Sequence, residues 1–153
     1  MDELVRWLGQ QLDEDERTAR AAAEPEQWVE LNRAPQQSWS VEYWADPDRA
    51  AVVAGGSSAH PVAVTTQGMA DTDAEARAAH IATHDPARVL REIDAKRQIL
   101  RDLEQAEFTL SKAQPGTMPH DLMTGAVNYL RRAVRHHAAV YDQRPGYKEE
   151  WRP

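Results

Sequence analysis

Two histidines, His80 and His84, stand four residues apart near the middle of the chain. On an α-helix this spacing puts both imidazoles on one face, which is the arrangement of two metal ligands. Ile81 follows the first histidine where a zinc protease of the HExxH type has glutamate, so that class is excluded. A zinc site needs a third ligand, and His137 is the best candidate because it lies beside the apolar stripe of the last predicted helix. The other candidates are His60, His120 and His136.

The two histidines also have a structural interpretation, in which His80 packs between helices and His84 caps the helix that ends before Asp85. His84-Asp85 and His120-Asp121 match the dipeptide of the HD phosphohydrolases. Both aspartates stand close to a proline, however, and are better explained as helix caps. No cofactor is expected, although zinc is possible.

A positive cluster in the last predicted helix comprises Arg131, Arg132 and Arg135. Arginines on adjoining helical faces can bind phosphate or nucleic acid. The alternative is a solvated face that pairs with Glu14, Asp15 and Glu16 of the acidic first helix, within or between chains. The net charge of −7 argues against a protein that coats DNA.

Composition limits the remaining chemistry. The 153 residues include no cysteine, which excludes disulfides, thiolate nucleophiles and cysteine-bound metal clusters. The sequence has no P-loop, no dinucleotide-binding glycine motif and no nucleophile elbow. It also has no signal peptide and no apolar run of the roughly 20 residues that span a bilayer. We therefore expect a cytoplasmic protein with no membrane segment.

The elements that must position these residues are predicted as one domain over residues 1–153. Residues 1–23 form an amphipathic helix, with Leu4, Leu8 and Leu12 on its apolar face. We expect this face to bind a second copy or a protein partner. Charge is uneven, with −10 in residues 1–76 and +3 in residues 77–153, which favours head-to-tail association.

Residues 26–66 are predicted to be β-rich. Trp39, Val41 and Tyr43 alternate with polar residues as in a half-buried strand, and strands are expected at 51–54 and 60–65. Residues 28–31 could add a fourth. Residues 71–141 are predicted to be three helices, followed by a tail at 142–153. The predicted fold is therefore α+β, with an N-terminal helix, a small antiparallel sheet of three or four strands, and three C-terminal helices.

Three segments carry a family resemblance. They are the opening residues 1–17, the stretch HIATHDPARVLREIDAKR at 80–97, and the ending PGYKEEWRP at 145–153. Together they resemble a family of small actinobacterial proteins of unknown function. Arginine outnumbers lysine 15 to 3, as expected of a high-GC genome. The resemblance implies a family but no activity.

Three functions remain open. The leading hypothesis is a non-enzymatic binding or adaptor module that forms a homodimer or a protein complex, since the sequence contains no complete catalytic set. The second is a metal-binding protein that uses His80 and His84, with hydrolysis as one activity that such a site could have. The third is a nucleic-acid accessory protein that uses the arginine cluster.

Overall fold

A computed structural model describes residues 2–23, 38–43, 49–54, 61–66 and 74–153. In these residues the element order is α1 (Asp2–Ala23), β1 (Trp39–Tyr43), β2 (Arg49–Ala54), β3 (Pro61–Thr66), α2 (Ala74–Thr83), α3 (Pro86–Lys112), α4 (Met118–Ala139) and a 3₁₀ helix, η1 (Glu149–Trp151). The fold is α+β, as predicted. The possible fourth strand at residues 28–31 lies outside the described residues.

Two compact units make up the chain. Residues 1–15 and 92–153 form the first, here called the helical unit, and residues 16–91 form the second, the sheet unit. The boundaries fall within α1 and within α3, so each of these helices contributes to both units. The single domain expected over 1–153 stays a prediction.

The sheet unit contains a three-stranded antiparallel meander in the order β1-β2-β3. Val41 pairs with Val52, which pairs in turn with Ala63, and the register shifts between Val52 and Val53. The small β-branched and alanine side chains of the central strand suit a strand that is buried on both faces. Pro61 begins the edge strand β3, a position where its missing N–H is tolerated.

Helix α2 covers one face of this sheet. Its Ala78 packs with Ala50 and Val52 in a small core that Trp39 and Ile81 extend. The buried Thr65 hydroxyl donates to the carbonyl of Ala74, at 2.6 Å, and so joins β3 to the start of α2. Trp39 is partly buried against this core, as the alternation of a half-buried strand predicts.

The helical unit has its core on the apolar faces of its helices. Ile93 and Leu103 of α3 and Val127 and Val134 of α4 are almost fully buried and mark the inner faces of these helices. Helix α4 ends at Ala139 rather than at the predicted Tyr141, which is buried in the turn that follows. None of the helices in the described ranges is long and apolar enough to cross a bilayer.

Candidate functional site

His80 and His84 lie on one exposed face at the end of α2. Their ring centroids are 4.4 Å apart, as the i,i+4 spacing predicts. The Nδ1 atom of His84 lies 2.8 Å from the carbonyl oxygen of His80, so Nδ1–H donates to it. This bond caps the helix end, which confirms the predicted capping role of His84. His80 does not pack between helices, because it lies on the solvent side of α2.

A metal site at these histidines would use the Nε2 atom of His84, which the capping bond leaves available as an acceptor. No group of three or more His, Cys, Asp or Glu residues in the described part of the chain could hold a metal ion. His137 belongs to the helical unit, whereas His80 and His84 belong to the sheet unit. His60 lies outside the described residues. Zinc binding stays a prediction.

His137 is partly buried on the inner side of α4. Burial lowers the pKa of its imidazole, and the nearby positive charge of Lys96 and the His136 ring lower it further. The neutral form is therefore favoured near neutral pH. Such a ring can accept a hydrogen bond or stay within the core without the cost of a buried charge.

Asp85 and Asp121, the aspartates of the two His-Asp dipeptides, differ in whether they cap a helix. The carboxylate of Asp85 accepts the backbone N–H of Arg88 at 2.7 Å, so Asp85 caps α3 as predicted. The prediction for Asp121 is wrong, because α4 begins earlier, with Thr117 at the N-cap position. Asp121 lies in the first turn instead, where its charge suits the positive end of the helix dipole.

The predicted partner face of α1 is internal. Leu4, Leu8 and Leu12 are each 2% exposed or less. Apolar side chains that are this well buried contribute to stability through the area that they remove from water. They are core residues of the chain, and their binding to a partner stays a prediction. A partner could reach them only if α1 moved away from its neighbours.

The three arginines of the cluster lie together. Arg131, Arg132 and Arg135 line a surface groove of about 410 Å³ with Asn128 and Pro153, and we call it the arginine groove. Arg131 is held by a salt bridge of 2.7 Å to Glu107 of α3. Within the described residues, neither Arg132 nor Arg135 has a carboxylate partner. Two positive charges of the groove are therefore available to a ligand.

The acidic run of α1 has partners other than this cluster. Asp15 accepts from Arg144 at 2.5 Å and from the Tyr141 hydroxyl at 2.8 Å. Asp13 pairs with Arg97 at 2.5 Å. The expected pairing of Asp15 with the arginine cluster is therefore wrong for contacts within the chain. The turn after α4 places Arg144, and not an arginine of the cluster, beside Asp15.

Sequence reasoning missed the role of the C-terminal segment. The indole N–H of Trp7 donates to the Pro145 carbonyl at 3.1 Å, and the Trp7 ring contacts those of Tyr147 and Trp151 at 5.6 and 5.3 Å. Gly146 adopts a φ of +84°, and an added Cβ would lie 3.0 Å from Trp7 Nε1. The motif PGYKEEWRP therefore completes the core around α1. The glycine and the two aromatic residues of this motif were the sequence signal that could have indicated a turn and a packed segment.

Sequence reasoning also missed a second apolar stripe on α4. Met118, Leu122 and Tyr129 are 76, 65 and 77% exposed, and Val140, directly after the helix, is similarly exposed. At 100° per residue the first three lie within about 40° of one another. We call Met118, Leu122, Gly125 and Tyr129 the outer face of α4. The spacing of four, three and four residues was visible in the sequence. The inner apolar stripe of the same helix was already enough to explain a helix that packs on a core, so the second stripe was not predicted.

The whole chain matches one protein family. Residues 1–153 match the model of a family of unknown function, DUF6221. No curated protein and no solved structure matches the chain.

Proposed function

The chain belongs to the DUF6221 family, whose function is unknown, and we propose that it is a binding module that works as a homodimer. The observation that carries the proposal is the outer face of α4. Helix α4 already has a buried inner face, and three large apolar side chains in one line on its other side lie outside the core that the described residues form. Exposed apolar stripes of this kind are typical of interaction surfaces.

A second copy is the occupant that the charges of α4 favour. Asp121 lies near the N-terminal end of its exposed side, and Arg132 and Arg135 lie near the C-terminal end. Two such helices that run in opposite directions bring acidic and basic ends together, so the surface is complementary to itself. Under this proposal the partner face is the outer face of α4 and not the leucines of α1.

The test is the molar mass in solution. We expect a concentration-dependent rise from 17.2 kDa towards twice that value by light scattering. Tyr129→Asp should keep the helical circular dichroism and shift the protein to the monomer, since a buried unpaired charge at an interface is costly. Phe108→Asp, which changes another exposed aromatic residue outside the outer face, is the matched control. A wild-type mass of 17.2 kDa at every concentration would refute the proposal.

Phosphate or nucleic-acid binding is a second candidate, and the arginine groove is the observation that favours it. Asn128 and three arginines offer several donors to phosphate oxygens on one surface. Binding of a single-stranded oligonucleotide should weaken steeply as salt rises, and Arg132→Gln with Arg135→Gln should reduce that slope. Affinity that is unchanged by both salt and these substitutions would exclude the groove.

A further inference from the structure

We propose that two copies pack antiparallel along the outer face of α4, with Tyr129 of each copy seated on Gly125 of the other. This inference rests on the proposed function, because it presupposes the homodimer. It adds the orientation and the register of the two helices. Both follow from the spacing, the missing side chain at Gly125 and the order of charges along α4.

The exposed side of α4 has the spacing of a coiled-coil seam. Its positions alternate by four and three residues from Met118 to Ala139: Met118, Leu122, Gly125, Tyr129, Arg132, His136 and Ala139. A repeat of 3.5 residues keeps one line of side chains towards a partner helix. The helix of 22 residues is about 33 Å long, so the seam is long enough for several layers of contacts.

Gly125 occupies the middle of this seam. A Cβ built on Gly125 would have no atom within 4 Å, so the neighbouring residues of the same chain leave room for a side chain. Glycine weakens a helix interior, and its place here is explained if another group must approach the backbone. The Tyr129 ring of a second copy, one turn away in the seam, fits that gap. The contact occurs twice in a symmetric pair.

The charges beside the seam select the antiparallel orientation. Asp121, Asn128 and Arg135 are spaced by seven residues and form one edge of the seam. In an antiparallel pair this edge meets its own copy, so Asp121 faces Arg135 of the second copy and Asn128 faces Asn128. A parallel pair in register would place Arg132 against Arg132 within the seam. Attraction in one orientation and repulsion in the other favour the antiparallel pair.

The other edge of the seam fits the same arrangement. It consists of small or apolar residues: Pro119, Ala126, Ala133 and Val140. In the antiparallel register Ala126 meets Ala126 of the second copy near the symmetry axis. Small side chains at this point allow the helices to approach closely, as the seating of Tyr129 on Gly125 requires.

The register predicts three kinds of layer in the seam, each of which occurs twice. Met118 faces His136, Leu122 faces Arg132, and Gly125 faces Tyr129. The aliphatic part of Arg132 covers Leu122 of the second copy, and its guanidinium reaches the neighbouring Asp121. Both arginines that have no carboxylate partner then take part in the dimer. Arg132 contacts the second copy within the seam, and Arg135 contacts it through the polar edge.

Disulfide mapping tests orientation and register, because the chain has no cysteine of its own. A mixture of full-length Met118→Cys and His136→Cys proteins should form a disulfide-linked dimer on mild oxidation. Each variant alone should not, since the two identical thiols lie at opposite ends of the pair and a disulfide needs Cα atoms within about 7 Å. Mass spectrometry of the linked peptides identifies the bond.

A charge exchange tests the polar edge independently. Asp121→Arg or Arg135→Asp alone should weaken the dimer about fivefold to tenfold, because each makes two surface pairs repulsive. The double exchange should restore the wild-type dissociation constant. Light scattering over a dilution series measures all four proteins.

The outcomes separate this inference from the proposed function. A wild-type protein that stays monomeric refutes both. A wild-type dimer in which Met118→Cys links to itself refutes the antiparallel orientation and leaves the homodimer. A dimer with no disulfide in the mixture, or with no recovery in the double exchange, refutes the register and also leaves the homodimer.

Discussion

The apolar stripe of α1 and the outer face of α4 use similar residues at similar spacing, yet their environments are opposite. Leu4, Leu8 and Leu12 are almost inaccessible, whereas Leu122 and Tyr129 are mostly exposed. Helical periodicity identifies a face that avoids water, but it does not say whether the chain itself or another molecule covers it. Burial in the folded chain makes that distinction.

The largest expected effect comes from matched truncations on the two faces. Leu8→Ala should reduce the free energy of unfolding by about 2–5 kcal/mol, because it leaves a cavity in the core. Leu122→Ala should change it by about 0.5 kcal/mol or less when the protein is dilute enough to be monomeric. Urea denaturation measures both. Equal losses would break the distinction between a core face and a surface face.

Two tyrosines extend the comparison. Tyr141→Phe removes the hydroxyl that donates to Asp15, and should cost about 1–3 kcal/mol because the acceptor is charged. Tyr129→Phe, at an exposed position, should leave the stability of the monomer unchanged. Thermal unfolding of both variants at low concentration is the measurement. A larger loss in Tyr129→Phe would contradict the assignment of the two tyrosines.

Tyr141 also predicts a loss of stability in alkali. Burial raises the pKa of its phenol well above the ordinary value, and the hydrogen bond and charge of Asp15 raise it further. The unfolded chain ionises first as the pH rises past about 10, so the unfolding free energy falls there. Tyr141→Phe should remove that part of the pH dependence, as urea titrations between neutral and alkaline pH would detect.

Alanine substitutions at two glycines should change the stability of the chain by smaller amounts and in opposite directions. Gly146→Ala should destabilise the chain by about 1–2 kcal/mol, because φ is positive and the new methyl group meets Trp7. Gly125→Ala should stabilise the monomer by about 0.5–1 kcal/mol, since it lies in a helix with open space around it. Melting temperatures at low concentration compare them. Destabilisation by both would mean that the outer face is packed.

The smallest effect concerns His137. Its pKa is lowered in the folded chain, mainly by burial, so the unfolded chain binds the proton more readily. The unfolding free energy should therefore fall as the pH drops below about 6.5. His137→Gln should make this dependence shallower, which urea titrations between pH 7 and 5 would reveal. An unchanged slope would show that His137 does not contribute to it.

The order and type of the elements could be predicted, because they depend on local signals. The alternation around Val41, the cap at Asp85 and the stripe of α1 each reside in a few neighbouring residues. The partners of Asp15 and Trp7 could not be predicted, because Arg144 and Pro145 each lie more than 120 residues away from the residue that they contact. Among the candidate sites, spacing correctly grouped His80 with His84, but only the tertiary structure distinguishes buried Leu8 from exposed Leu122.

The contact between Trp7 and Trp151 makes the helical unit depend on two segments that are far apart in sequence. Residues 16–91 leave the ribosome as one continuous stretch, whereas the helical unit needs residues 92–153 before α1 has its core. At the usual rate of synthesis, α1 waits on the order of ten seconds for Trp151. During that time Leu4, Leu8 and Leu12 are exposed on the nascent chain, where chaperones that recognise apolar helices can bind them. A message cut short before Tyr147 would leave the Trp7 ring without its two aromatic neighbours, Tyr147 and Trp151.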